Sequence, residues 1–207
     1  MDGTLCESRQ KATSEMLIHL KALNEKKKVF IVSGAELARM ELQCPMKYVT
    51  YFSQNGNIIY DGDKEIRHNE LTNKEEILKH IDLLRADYPI AEVEDRGSQI
   101  TVSFTGFTAP QEIKNSFDPD RKIRLEMLKR YPFHNAFVAG LTGIDYIPKT
   151  KGENIQHYLE LRKIKPADCI YIGDALEKGA NDETVVGVIP TFAVKNPEDT
   201  LKFIKQL

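Results

Sequence analysis

The most constraining feature of the chain lies near its end. A wholly apolar run, Cys169-Ile170-Tyr171-Ile172, stops on Gly173-Asp174, and Gly179-Ala180-Asn181-Asp182 follows on the next loop. Such a run reads as a buried parallel strand, and open α/β sheets collect ligands where their strands end. Carboxylates placed there, with no Lys or Arg adjacent to Asp174, suit a hard divalent cation. Mg²⁺ takes one or two carboxylates and fills its shell with phosphate oxygens and water. An ordinary turn followed by a helix N-cap would use the same residues.

The front of the chain is built alike. Val29-Phe30-Ile31-Val32 reads as a buried strand that ends on Ser33-Gly34 and opens a helix to about Leu42. A helix start offers free N–H groups to an anion, and the Ser33 hydroxyl adds a donor. Ser33 with Glu36 also spells a capping box, and the two uses are compatible. Asp2-Gly3-Thr4-Leu5 is a turn of the kind that closes a strand. Lys151, near Lys149, is expected to open a helix. It reads either as a solvated charge or as a cation that neutralises a phosphoryl group.

Between these ends the texture changes. An amphipathic helix over 13–26 precedes the first strand, and Val49–Phe52 with Ile58–Tyr60 reads as a strand pair around Asn55-Gly56. From about Thr72 come a helix to Leu84 and a half-solvated antiparallel strand over 99–104. A helix over 121–129 and strands over 136–139 and 144–147 follow. After Thr150 the alternation resumes with a helix over 152–161, the Cys169 strand, a strand over 186–189 and a last helix over 198–204. The expected fold is therefore α/β, a Rossmann-like parallel-sheet core with an inserted α+β cap domain. The core is residues 1–71 and 151–207, and the cap is residues 72–150.

Charge narrows the function. Lys plus Arg is 29 against 31 Asp plus Glu, a net charge of -2. That balance argues against nucleic acid, which needs a basic face, but not against a small phosphorylated metabolite held by local cations. Three unspaced cysteines point to a reduced, cytoplasmic setting without structural zinc. No apolar run reaches membrane length, so no membrane partner is expected. Dinucleotide, P-loop and nucleophile-elbow motifs are absent. The five histidines have no metal-ligand spacing.

Taken in order, the acid turn, Ser-Gly, Lys and Gly-Asp…Asn-Asp resemble the haloacid dehalogenase superfamily of phosphoryl-transfer enzymes. Gln54-Asn55-Gly56, Arg96–Thr101, Asp118-Pro119-Asp120 and Gly143-Ile144-Asp145 are similar to the phosphomannomutase-like members with a large α/β cap. The resemblance implies a Mg²⁺ cofactor and an aspartyl-phosphate. It makes Asp2 the acid/base carboxylate, Ser33 a phosphoryl donor and Lys151 the neutralising cation. Asp2, through its carbonyl, with Asp174 and Asp182 would hold the metal. Arg9, Gly34, Arg124, Asp145 and Asn181 would bind substrate. A sugar-phosphate phosphatase is the favoured activity, because Phe107 stands where a second cap arginine is expected. A hexose-phosphate mutase and a non-catalytic sugar-phosphate-binding protein are the alternatives, and a homodimer through the cap is allowed. A general nucleotide- or protein-binding α/β module would leave the ordered Asp, Ser and Lys set unexplained. The family's first motif is Asp-x-Asp-Gly-Thr, with the nucleophile at its first position. Met1 occupies the x position, so the nucleophile and its central strand are expected ahead of Met1, in ~6–10 further residues.

Overall fold

Thr13 starts the first regular element. Its hydroxyl accepts from Met16 N at 3.2 Å and so caps α1 (Ser14–Lys26). The structure, a computed structural model, describes residues 1–134 and 136–207. These residues gather into two compact units. One holds Met1–His68, Lys149–Leu176 and Asp182–Leu207; the other holds Asn69–Pro148 and Glu177–Asn181.

In the first unit, β1 (Phe30–Val32) leads through a loop into α2 (Leu37–Gln43) and returns as β2 (Thr50–Ser53), which pairs with it in parallel. A tight turn over Gln54–Gly56 reverses the chain into β3 (Ile58–Asp61), antiparallel to β2, as the Asn55-Gly56 signal predicts. Sequence reading passes over β4 (Lys64–His68), which extends the sheet to β1-β2-β3-β4. Its residues are mostly charged because it is a solvated edge.

The same unit carries α6 (Lys151–Arg162), β9 (Tyr171–Gly173), β10 (Thr191–Ala193) and α7 (Pro197–Ile204). Strands β9 and β10 pair in parallel as a separate two-stranded sheet. The fully buried strand expected at Cys169–Ile172 is instead half-buried, and Ile170 is exposed. Among the described residues β9 has one ladder partner, and a strand is buried throughout only when flanked on both edges. The strand expected over 186–189 is a single bridge, Val186 to Ile189, bent at Gly187 with φ +86°. The true strand lies two residues later.

Two apolar clusters hold this unit. Met16 and Leu20 of α1 pack with Ile31, Met40, Tyr51 and Ile204. On the other side Phe52, Ile59, Ile155, Tyr158 and Leu159 form a second cluster, against which Phe30, Val32 and Tyr171 pack. There the Phe30, Phe52 and Tyr158 rings meet edge to face at 4.9–5.9 Å, which seats α6 on β1 and β2.

The second unit is antiparallel. β5 (Glu92–Asp95), β6 (Ile100–Ser103), β8 (Gly143–Tyr146) and β7 (Ala136–Ala139) lie in that order. Its core joins Ile77, Ile81 and Leu84 of α3 (Lys74–Asp87) to Met127 of α5 (Lys122–Arg130) and to Ile100, Val102, Ile144 and Tyr146. The intervening α4 (Gln111–Phe117) has no buried residue, and its polar sequence hides it. Strand β6 is buried on both faces, not half-solvated. Its polar face is closed by hydrogen bonds: Thr101 Oγ1 donates to Asp145 Oδ1 at 2.8 Å, and Ser103 meets Thr142 at 3.3 Å. No helix of the described residues is long and apolar enough to cross a membrane.

Candidate active site

Two strand ends in the first unit hold Asp174, Asp182 and Ser33. At the end of β9, Gly173 brings the chain against Asp182. A Cβ there would lie 2.6 Å from Asp182 Oδ2 and 2.7 Å from a Tyr171 ring carbon, so only glycine fits. Asp182 N donates to Ala175 O at 2.9 Å, which ties the Asp182 loop to the residue after Asp174.

Asp182 is buried and forms an ion pair with Lys151 Nζ, both side chains being under a tenth exposed. Burial alone would raise the Asp182 carboxyl. Lys151 outweighs it and, with the Tyr171 hydroxyl as a further donor, holds the carboxyl below the ordinary range. Burial, and then Asp182, push the Tyr171 phenol well above its usual 10.0, so it stays a donor. Lys151 is the first residue of α6. It is fixed there by a capping box in which Thr150 Oγ1 accepts from Glu153 N and Glu153 reaches back to Thr150 N at 2.7 Å.

Asp174 is held differently. Thr4 Oγ1 donates to its Oδ1 at 2.6 Å, across 170 residues of sequence. Gly3, at φ +75°, presses its backbone on the same carboxylate: a Cβ would stand 2.4 Å from Oδ2. Asp174 is exposed, and it makes no ion pair among the described residues. The Asp2-Gly3-Thr4 turn is thus a cradle for Asp174, a use that turn frequencies do not reveal.

The donor set can be tested against a metal. No group of three or more His, Cys, Asp or Glu side chains able to hold a metal ion occurs among the described residues, whereas zinc and an all-protein calcium cage take at least that many. One exposed carboxylate that makes no ion pair among the described residues fits Mg²⁺, which keeps waters and phosphate oxygens in its shell. Asp174 is a residue that could hold it. Asp182, the second carboxylate expected at the metal, accepts from Lys151 and Tyr171.

At the end of β1, Ser33 does not cap α2. The helix starts at Leu37 with Glu36 as its N-cap and no side-chain cap bond, so the capping box is not made. Ser33 Oγ instead accepts from Ala35 N at 3.2 Å within the loop that carries Gly34. That leaves its hydroxyl proton for another acceptor.

Other expected residues are placed elsewhere. The Asp2 carboxylate accepts from Gln43 Nε2 at 2.8 Å and Arg39 Nη2 at 3.2 Å, both from α2. Arg9 stands in an exposed loop at φ +60°. Arg124 is fully buried. Its Nε donates to Asp118 Oδ2 at 2.8 Å and its Nη1 to the carbonyls of Ala139, Gly140 and Gly143. It stitches α5 to the β7–β8 turn. Asp145 is buried beside Thr101 in the second unit, where Asn181 also belongs. Phe107 lies under Arg96 at 5.7 Å, and its carbonyl accepts from Lys114 Nζ at 2.7 Å.

Comparison with known proteins agrees with this reading of the strands. The haloacid dehalogenase-like hydrolase family matches residues 1–122, more than half of the chain. The phosphomannomutase of Spinacia oleracea is 26% identical over 98% of this chain and 91% of its own. A haloacid dehalogenase-like hydrolase from B. subtilis superposes with a TM-score of 0.71 at 15% identity, over 100% of this chain and 97% of that one. The C-terminal domain of C. albicans trehalose-6-phosphate phosphatase superposes at 0.69 with 16% identity, over 99% and 88%. With the parallel strand ends, the Asp174 cradle and the Lys151–Asp182 pair in place, the chain belongs to the haloacid dehalogenase-like hydrolases, as a phosphomannomutase-like member.

Proposed function

We propose that the strand-end cluster of the first unit is a Mg²⁺-assisted phosphoryl-transfer site and that the protein is a sugar-phosphate phosphatase. One observation carries the reading: a buried Lys151–Asp182 pair lies beside Asp174, a carboxylate that is cradled but not charge-paired. That is a division of labour between a cation for a phosphoryl group and a carboxylate for a metal.

In this reading Lys151 Nζ, pre-oriented by Asp182, binds a phosphoryl oxygen. Ser33 Oγ donates to another, and the Gly34 loop lets the group approach closely. Asp174 would hold Mg²⁺ with the carbonyl of Asp2, and the metal would neutralise the spreading phosphoryl charge. Asp2 would pass a proton to or from the leaving oxygen, which requires its carboxylate to release Arg39 or Gln43. In the Asp-x-Asp-Gly-Thr pattern the attacking carboxylate is the one two positions before Asp2. The relatives' phosphorylated substrates support a sugar phosphate as the ligand.

A phosphatase is preferred to a mutase because a mutase must grip a bisphosphate from either end. Arg124 has no exposed surface for that task, and Phe107 replaces a cation. The non-catalytic alternative is favoured by the engagement of Asp2 with α2. The test is phosphate release from hexose phosphates by the protein carrying an apolar strand that ends in Asp immediately before Met1. The reading expects Mg²⁺-dependent turnover, abolished by Asp174→Ala and lower by several orders of magnitude without the added Asp. Binding without turnover in the extended form would favour the non-catalytic alternative. A 1-to-6 transfer faster than hydrolysis would make it a mutase.

A further inference from the structure

Three asparagines are buried together where the phosphate-facing loop meets α6. Asn154, on the first turns of α6, is 0% exposed, as is Asn57, and Asn55 is 3% exposed. Asn154 Nδ2 donates to Asn55 O at 3.0 Å, to Asn57 Oδ1 at 3.2 Å and to Lys149 O at 3.3 Å. Asn57 Nδ2 donates to Gln54 O at 2.8 Å and Lys149 O at 2.9 Å, while its Oδ1 accepts from Lys149 N at 3.2 Å. On the far side, Asn55 N donates to Ser33 O at 2.8 Å and Gln54 N to Ala35 O at 3.0 Å. The route runs from the backbone of Ser33 to the residue two before Lys151, through side-chain amides shielded from water.

Buried amides are expensive unless their geometry is met, and met networks rigidify. The turn that carries two of them is itself costly in shape: Gln54 and Asn55 adopt φ of +48° and +61°, and Gly56 +84°. Gly56 also leaves room for the third, since a Cβ there would stand 2.8 Å from Asn154 Cβ. A purely structural junction between β2 and α6 would be served by the apolar cluster already beside it.

We infer that Asn154, with Asn57 and Asn55, is the positioning device that sets Lys151 relative to Ser33, so that both reach one phosphoryl group. This rests on the phosphoryl-transfer reading of the site. Asn154 touches no substrate; it acts through Lys151 and the Ser33 loop.

The test is a double-mutant cycle read as the affinity for inorganic phosphate in the full chain. Lys151→Ala is the reference, Asn154→Leu removes the amide at similar volume, and Gly56→Ala displaces Asn154 while leaving every hydrogen-bonding group in place. The expected result is a tenfold or greater loss of affinity for Lys151→Ala, for Asn154→Leu and for Gly56→Ala. Adding Asn154→Leu to Lys151→Ala should bring less than a further twofold loss. A folded Asn154→Leu or Gly56→Ala that keeps wild-type affinity overturns the inference while leaving the site reading intact. So does a loss that multiplies with that of Lys151→Ala. No effect of Lys151→Ala, or no phosphate binding by the unsubstituted chain, overturns the site reading and the inference with it. Should neither Asn154→Leu nor Gly56→Ala fold, the side-chain amide resonances of Asn154 in the unsubstituted protein decide. A shift on phosphate addition supports the role, and unmoved resonances overturn it.

Discussion

Lys151 and Asp182 stabilise each other only as a pair. Removing the cation leaves a buried carboxylate without compensation, a change that costs about 3–5 kcal/mol in proteins generally. Lys151→Met is therefore expected to lower the urea-unfolding free energy by that order. The double variant Lys151→Met/Asp182→Leu should recover a large part of it; a double variant as unstable as the single one would contradict the pairing. Gly173 is the neighbouring test. Its Ala variant forces a Cβ within 2.6 Å of Asp182 Oδ2, so a loss of about 1–3 kcal/mol is expected from overpacking. Residue-level reading of the sequence singles out Asp174, Lys151 and Ser33 because each sits at a strand end or helix start. It does not foresee the ion pairs that Asp182 and Arg124 make. Their partners, Lys151 and Asp118, lie 31 and 6 residues away, and only the folded chain shows that each pair consumes its own charge.

At the scale of elements, α6 is the piece on which the site depends. Its N-terminus is fixed by Thr150 and Glu153, its body by the Phe30–Phe52–Tyr158 ring contacts and its first turns by Asn154. Thr150→Ala is expected to cost about 1 kcal/mol, the usual price of an N-cap, measurable as a shifted urea midpoint. In the second unit Asp118 accepts from Ile123 N and Arg124 N at 3.0 and 3.1 Å and also holds the Arg124 guanidinium. Arg124→Met should therefore destabilise that unit strongly. Helices and the apolar strands were legible from period and turn residues. β4, β5 and α4 were not, because one or two apolar residues in each, among polar ones, are too few to show a period. The break of the parallel strands into two sheets follows from pairing across the chain, which no local pattern records.

For the whole molecule, titration sets the limits of stability. Burial, and then Asp2, push the Cys6 thiol up to about 11, and burial pushes Cys44 to about 12, from an ordinary 9.0. Both raised groups contribute stability that is complete below pH 9 and is lost as pH rises through the folded values, because the unfolded thiols ionise first. Asp182 has the opposite sign. Held below its ordinary 3.8, it contributes stability that is complete above that pH and is lost as pH falls through its folded value. Urea midpoints measured across pH should stay flat between these limits and fall on both sides. Cys44→Ala should make the alkaline limb shallower, leaving the part due to Cys6, and leave the acid limb unchanged.

The measurement closest to the central claim is calorimetric titration of inorganic phosphate with and without Mg²⁺. If Asp174 holds the metal beside the Lys151 cation, Mg²⁺ tightens phosphate binding at least tenfold, and Asp174→Ala removes the enhancement while leaving the metal-free affinity in place. Phosphate affinity indifferent to Mg²⁺, or an enhancement that survives Asp174→Ala, would contradict the account.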